Sequence, residues 1–191
     1  MFTIAVLVSG NGTNLQAVID YTKKAAVNAQ VKTVISDRPG SYAIERASRE
    51  GIETTVLDRK LFKKRLSDEI LQRVKGCDLI VLGGFLSILS GDILKEFENR
   101  IINVHPSLIP AFCGPKMYGQ KVHQAALKKG VKISGCTVHI VDEGTDTGPI
   151  LVQKAVPVLE GDTPETLAER ILPFEHQALC EAIERFVKGR V

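Results

Sequence analysis

Apolar residues in this chain come in short unbroken runs separated by longer amphipathic stretches. Ile4-Ala5-Val6-Leu7-Val8 and Leu79-Ile80-Val81-Leu82 have no polar interruption, as expected of parallel strands covered on both faces. Residues 31–36, 53–57 and 101–105 read as further strands. Between them, apolar positions recur at helical spacing: Leu15, Val18 and Ile19; then residues 42–49, closed by Gly51; then Leu61, Phe62, Leu66, Ile70, Leu71 and Val74 in a helix over 61–74. A short helix over 90–97, capped by Ser90 or Asp92, leads into the fifth strand. Strands alternating with helices imply right-handed βαβ units and a mainly parallel sheet.

The second half changes character. After the fifth strand, two prolines and an irregular loop over 111–119 precede a helix at 123–129, on which His123 reads as a solvated residue. Residues 133–141 and 150–156 alternate as strands, the first with Thr137 and His139 on one face and Cys136, Val138 and Ile140 on the other. The two should pair as an antiparallel hairpin. A closing helix starts at Thr163-Pro164, with Thr163 as cap, and Pro173 should kink or split it near Glu175-His176. There those two residues more often act as caps than as functional groups. The expected fold class is therefore α/β, a Rossmann-like, mainly parallel twisted sheet of about seven strands, with helices on both faces and an antiparallel C-terminal hairpin. Residues 1–191 read as one domain, with an N-terminal phosphate-binding half (1–100) and a C-terminal catalytic half (101–191).

Composition narrows the function. The 191 residues are 44% hydrophobic and 25% charged with a formal charge of +3, a balance of globular domains that allows anionic ligands without requiring nucleic acid. Cys77, Cys113, Cys136 and Cys180 form no C-x-x-C pair, which argues against a zinc ribbon and for a reducing compartment. No apolar run approaches the roughly 18 residues that span a bilayer, and no basic leader precedes the first strand. The expectation is a cytoplasmic protein, monomer or homodimer, with small-molecule substrates and neither nucleic acid nor membrane as partner.

Two stretches carry candidate chemistry. Ser9-Gly10-Asn11-Gly12-Thr13-Asn14 joins a strand to a helix N-terminus, where free backbone N–H groups and the positive end of the dipole suit an anion. Leu15 stands where a dinucleotide fingerprint needs its third glycine, and no P-loop lysine follows. Ile102-Asn103-Val104-His105-Pro106 sets an amide and an imidazole two apart on one strand face, as acid–base chemistry on a carbonyl requires. With Thr137, His139 and Asp146 they complete the polar inventory of the carboxyl strand ends. A metal site of His105, His139 and Asp146 lacks ligand spacing such as H-x-x-x-H, and no G-x-S-x-G elbow supports a hydrolase nucleophile. Acid–base group transfer remains: Asn103 polarises a carbonyl, His105 moves protons, and Asp146 orients or charges the imidazole.

SGNGTNLQA (9–17), INVHPSLIP (102–110) and GCTVHIVDEGTDTGPI (135–150) together resemble the folate-dependent glycinamide ribonucleotide formyltransferases over nearly the whole chain. The resemblance implies formyl transfer from 10-formyltetrahydrofolate to the amine of phosphoribosylglycinamide, a step of purine biosynthesis, with no metal. It implies catalytic roles for Asn103, His105 and Asp146, and acceptor binding by Gly12, Thr13, Asn14 and Glu175, the last holding ribose hydroxyls. It implies a folate pocket walled by Leu86, Ser87, Ile88, Leu89, Asn103, Asp142, Glu143, Gly144, Thr145 and Asp146, with Lys63 near the folate's acidic tail. Ser87 stands where many relatives carry Arg, and loop 112–119 departs from the commoner form. A methionyl-tRNA formyltransferase would be expected to extend beyond the core at the C-terminus, and a formyltetrahydrofolate deformylase to carry an N-terminal domain. A non-catalytic nucleotide- or folate-binding module would have little reason to keep the whole polar set, given the cost of burying it.

Overall fold

The computed structural model describes residues 1–24 and 26–191. Among them, one seven-stranded sheet runs in the order β3-β2-β1-β4-β5-β6-β7, formed by β1 (Phe2–Val8), β2 (Ala29–Ser36), β3 (Glu53–Val56), β4 (Leu79–Leu82), β5 (Ile101–His105), β6 (Ile133–Ile140) and β7 (Ile150–Pro157). The strands β3 to β5 pair parallel; β6 runs antiparallel to both β5 and β7. The expected hairpin is present, and β5 is its antiparallel neighbour as well.

The unbroken run of β1 explains the two-sided core. Ile4, Val6 and Val8 point to one face, against Leu15, Val18 and Ile19 of α1 (Thr13–Thr22) and against Ile171, Ala178, Leu179, Ala182 and Ile183 of α7 (Pro164–Val187). Ala5 and Leu7 point to the other, against Leu66, Ile70, Leu71 and Val74 of α4 (Leu66–Val74) and Ile93 of α5 (Asp92–Glu96). Burying each such Leu or Ile contributes about 1.5–3 kcal/mol, so an unalternating strand is stable only between two helical layers. The connections reverse direction at β1, since α1 leads to β2 on one side and α4 to β4 on the other. The crevice at such a switch point, beyond the carboxyl ends of β1 and β4, is where ligands enter folds of this kind.

Four local expectations are corrected. The helix expected over 61–74 is broken: Asp58 caps α3 (Arg59–Phe62) by accepting the Lys60 N–H at 2.9 Å, Lys63 takes φ +49°, and a 3₁₀ turn (Lys63–Arg65) precedes α4. The cap of α5 is Gly91, not Ser90 or Asp92. His123, on α6 (Gln120–Lys129), is 4% exposed rather than solvated. Finally, α7 runs unbroken through Pro173. Proline removes one backbone bond from an exposed position, and the buried residues on both sides of it hold the helix together. Glu175 and His176 thus lie inside a helix, not at its ends. The start of α7 is as expected: Pro164 opens it, Thr163 accepts the Thr166 N–H at 3.3 Å, and the Thr166 hydroxyl accepts the Thr163 N–H at 2.9 Å.

Gly12 couples the first turn to α2 (Tyr42–Arg49). Its φ is +72°, and a Cβ there would sit 2.6 Å from the Ala43 Cβ. Gly12→Ala is expected to cost about 2–4 kcal/mol, combining a left-handed alanine with overpacking. Urea unfolding measures this as a lowered midpoint; an unmoved midpoint would mean that α2 retreats freely.

Candidate active site

Beyond the carboxyl ends of β1, β4 and β5 three segments meet. The turn after β1 reaches α1 with Gly12 as N-cap and no capping side chain, so the first-turn N–H groups of α1 have no side-chain acceptor. The turn is braced from outside: the Ser41 hydroxyl donates to the Gly10 carbonyl at 2.8 Å, as does the Ala43 N–H at 3.1 Å. The buried Asn14 faces the other way. Its Nδ2 donates to Glu175 Oε2 at 3.0 Å across 161 residues, while its Oδ1 is buried without a partner. Burial pushes the Glu175 carboxyl up, and the Asn14 bond acts against that. Gly12, Thr13, Asn14 and Glu175, expected to share a ligand, therefore converge.

On β5, Asn103 and His105 share a face, and the register sets Asn103 opposite His139 and His105 opposite Thr137 of β6. His105 is 4% exposed. Its Nε2 lies 2.9 Å from the Phe112 carbonyl, which can only accept, so Nε2 carries a proton. In the neutral ring Nδ1 is then a free base, 3.5 Å from Asp146 Oδ2. Burial holds the His105 pKa below its ordinary value, although the Phe112 bond and the Asp146 charge both raise it.

His139 completes the cluster. Its Nδ1 donates to the Ile140 carbonyl at 2.8 Å, so in the neutral ring Nε2 accepts; Asn103 Nδ2 lies 3.2 Å from it and Asp146 Oδ1 3.5 Å. Asn103 thereby spends one amide hydrogen on His139 and keeps the second for a ligand. For Asp146, burial raises the pKa, but the neighbouring His139 ring, the Gly114 N–H (2.9 Å) and the field of His105 outweigh it and hold the carboxyl below its ordinary range. No group of three or more His, Cys, Asp or Glu among the described residues has a geometry that would hold a metal ion.

Backbone geometry sets Asp146 in place. The residue takes φ +59°, and Asp142 Oδ1 accepts from the Thr147 hydroxyl at 2.6 Å and the Gly144 N–H at 3.0 Å. A Cβ on Gly148 would lie 2.0 Å from the Ile140 carbonyl oxygen. Asp142, Glu143 and Gly144 are exposed along the rim, with Thr145 half-buried beside Asp146. On the opposite wall, Leu86 and Ile88 are 40% and 67% exposed, while Leu89 is buried in the core, leaving only its backbone to face a ligand. The Leu86 N–H donates to the Ser9 hydroxyl at 2.8 Å, tying this wall to the first turn. The Ser87 hydroxyl donates to buried Asp37 at 2.5 Å.

Sequence reasoning missed the basic groups here. A cleft of about 390 Å³ is lined by Arg38, Pro39, Asp58, Arg59 and Lys60, with the Arg59 guanidinium 3.7 Å from Asp37. Lys63 is exposed on its 3₁₀ turn and does not line that cleft. The role of His139 was legible only as a member of the polar inventory.

A family model described as Formyl transferase matches residues 2–183. The trifunctional purine biosynthetic protein adenosine-3 of Gallus gallus is 43% identical over 192 residues, covering 98% of this chain and 19% of its own length. The chain spans about a fifth of the length of the curated relatives it matches first. Among solved structures, glycinamide ribonucleotide transformylase 1 from Symbiobacterium toebii superposes with a TM-score of 0.93 at 44% identity, covering all of this chain and 89% of that one. Phosphoribosylglycinamide formyltransferase from Brucella melitensis gives 0.88 at 41% identity, covering 100% and 97%.

Proposed function

The chain belongs to the formyl transferase family, and we propose that it transfers the formyl group of 10-formyltetrahydrofolate to the amine of phosphoribosylglycinamide in purine biosynthesis. The observation that carries this reading is the Asn103–His139–Asp146–His105 chain of contacts at 3.2–3.5 Å. It supplies one free amide donor and one free base around a single point. The acceptor amine attacks the formyl carbon, forming the C–N bond and a tetrahedral oxyanion. Asn103 Nδ2 donates to that oxygen. His105 Nδ1 takes the proton lost by the amine, and the imidazolium so formed faces the Asp146 carboxylate. As the oxyanion collapses, the bond to the folate nitrogen breaks and that nitrogen receives the proton. The Nε2 proton of resting His105 is committed to Phe112, so the resting ring supplies no second oxyanion donor.

The two substrates divide between the walls. The first-turn N–H groups of α1, with Thr13 and Asn14, bind the acceptor phosphate. The folate lies against the backbone of 86–89 and the rim of 142–146, with its acidic tail toward Arg59 and Lys60 rather than Lys63. The phosphate-binding and catalytic halves, 1–100 and 101–191, thus form one domain working across one crevice. The substrates are small molecules, and the four unpaired thiols suit a cytoplasmic enzyme.

Purified protein given both substrates should release tetrahydrofolate in step with formylated acceptor. Formate release without acceptor would identify a deformylase and overturn the assignment. Thr13→Ala should raise KM for the acceptor by about tenfold, the worth of one hydrogen bond to a charged group, and leave KM for the folate near its starting value. Steady-state kinetics with each substrate varied in turn checks this; an unmoved acceptor KM removes the phosphate assignment.

A further inference from the structure

Among the described residues, five besides glycine take a left-handed backbone: Lys63, Asn99, Phe112, Lys116 and Asp146. Lys63, Asn99 and Lys116 are exposed. The other two, Phe112 (φ +51°) and Asp146 (φ +59°), hold the two ring nitrogens of His105. The Phe112 carbonyl lies 2.9 Å from Nε2, and Asp146 Oδ2 lies 3.5 Å from Nδ1. Aspartate visits this conformation readily, but for the bulky phenylalanine it is an outlier. Such strain persists only where the surroundings enforce it. Here the chain is bound on both sides of Phe112. The Ser107 hydroxyl, in a residue 1% exposed, donates to the Ala111 carbonyl at 2.6 Å and lies 3.4 Å from that of Phe112. On the far side, the Gly114 N–H donates to Asp146 Oδ2 at 2.9 Å.

The chemistry of the ring says what the strain achieves. A neutral imidazole has a single N–H, and His105 has an acceptor at each nitrogen, so the two compete for it. Asp146 is the charged one, and bonds to an ionised acceptor are about twice as strong as neutral ones. Left to that preference, the ring would carry its proton on Nδ1 and present no base beside Asp146. The loop opposes this from both sides. Its Phe112 carbonyl is fixed at bonding distance from Nε2, and its Gly114 N–H engages the same Asp146 oxygen that faces Nδ1.

We propose that residues 112–114 lock the tautomer of His105, with the left-handed backbone at Phe112 aiming the carbonyl that holds the proton on Nε2. Phe112 is then a positioning residue that acts through His105 by its backbone, not by its aromatic ring. The inference rests on the reading of His105 Nδ1 as the base of formyl transfer.

Substitutions at 112 separate the two contributions. Phe112→Val removes the ring and places a β-branched residue where φ is positive; Phe112→Gly removes the ring and accepts that φ without strain. The valine variant should lose about tenfold in kcat, the worth of one hydrogen bond to the imidazole, with smaller changes in both KM values. The glycine variant should recover most of that loss. Nitrogen-15 NMR of the imidazoles, without substrates, should find His105 protonated at Nε2 in the wild type and the glycine variant, and a mixture with Nδ1–H in the valine variant. Ser107→Ala, which frees the Ala111 carbonyl, should move both readouts the same way by a smaller amount, and carries the test if the valine variant does not fold. A glycine variant as slow as the valine one, or His105 still wholly protonated at Nε2 in the valine and Ser107→Ala variants, overturns the proposal. A tautomer that shifts while kcat stands still overturns the reading of His105 as the base instead.

Discussion

Asp146→Asn is expected to lower kcat/KM for formyl transfer by about a thousandfold, within the range of a positioned acid–base group. The substitution keeps the shape of the side chain and can retain an acceptor for the Gly114 N–H, 2.9 Å away; what it removes is the charge. The side chain is 10% exposed and lies 3.5 Å from both His105 Nδ1 and His139 Nε2, so the charge acts at short range and with little screening. Its effect on His105 has a definite sign. Burial holds the imidazole below its ordinary pKa, with Asp146 pulling upward, so removing Asp146 drives the pKa lower still. His105 in the variant is a weaker base that stays neutral to lower pH. The profile of kcat/KM should therefore fall in height while its acid limb moves to lower pH. Full turnover in the variant, or an acid limb displaced upward, would show that Asp146 does not act through His105.

How much of this was open to reading in the sequence depended on the range of each contact. The period of two along residues 101–105 already puts Asn103 and His105 on one face, and the same rule puts Thr137 with His139. Thr163-Pro164 marks a helix start because a cap is a contact between residues three apart. The register that sets Asn103 opposite His139 is a property of two strands folded together, and no local pattern contains it. The same holds for the bond from Asn14 to Glu175, for the burial of His123 under α7, and for the cleft of Arg38, Arg59 and Lys60. In each, packing of distant segments decides. Pro173 shows the limit from the other side: a strong local breaker is overridden because Ile171, Ala178 and Leu179 are buried around it. Family resemblance covered part of that gap by naming Glu175 as a binding residue. It left out His139, whose part becomes clear only from which ring nitrogen faces the Ile140 carbonyl.

That ring sets the second large expected effect. Asn103→Ala should reduce kcat by about 100–1,000-fold, the usual consequence of deleting one oxyanion donor, with a much smaller change in KM for either substrate. The reason is differential binding: the formyl oxygen carries full negative charge only in the tetrahedral state, so a donor aimed there acts on the transition state more than on bound substrate. For Asn103 the aim is fixed by His139. With His139 Nδ1–H held by the Ile140 carbonyl at 2.8 Å, the neutral ring has its lone pair on Nε2, and Asn103 turns its Nδ2 toward it at 3.2 Å. The amide cannot flip without setting its oxygen against that lone pair. Asn103→Asp makes the same point by a different route, since it preserves volume but has no N–H to give and adds a charge beside Asp146; its kcat should be no better than that of the alanine variant. His139→Leu leaves Asn103 in place but unaimed, and should lose about tenfold, less than removal of the donor itself. Single-turnover measurements, which report formyl transfer apart from product release, check all three. A kcat retained in Asn103→Ala would move the oxyanion donor to another group, and a His139→Leu variant as slow as Asn103→Ala would make the imidazole itself, rather than the amide it orients, the group that meets the oxyanion.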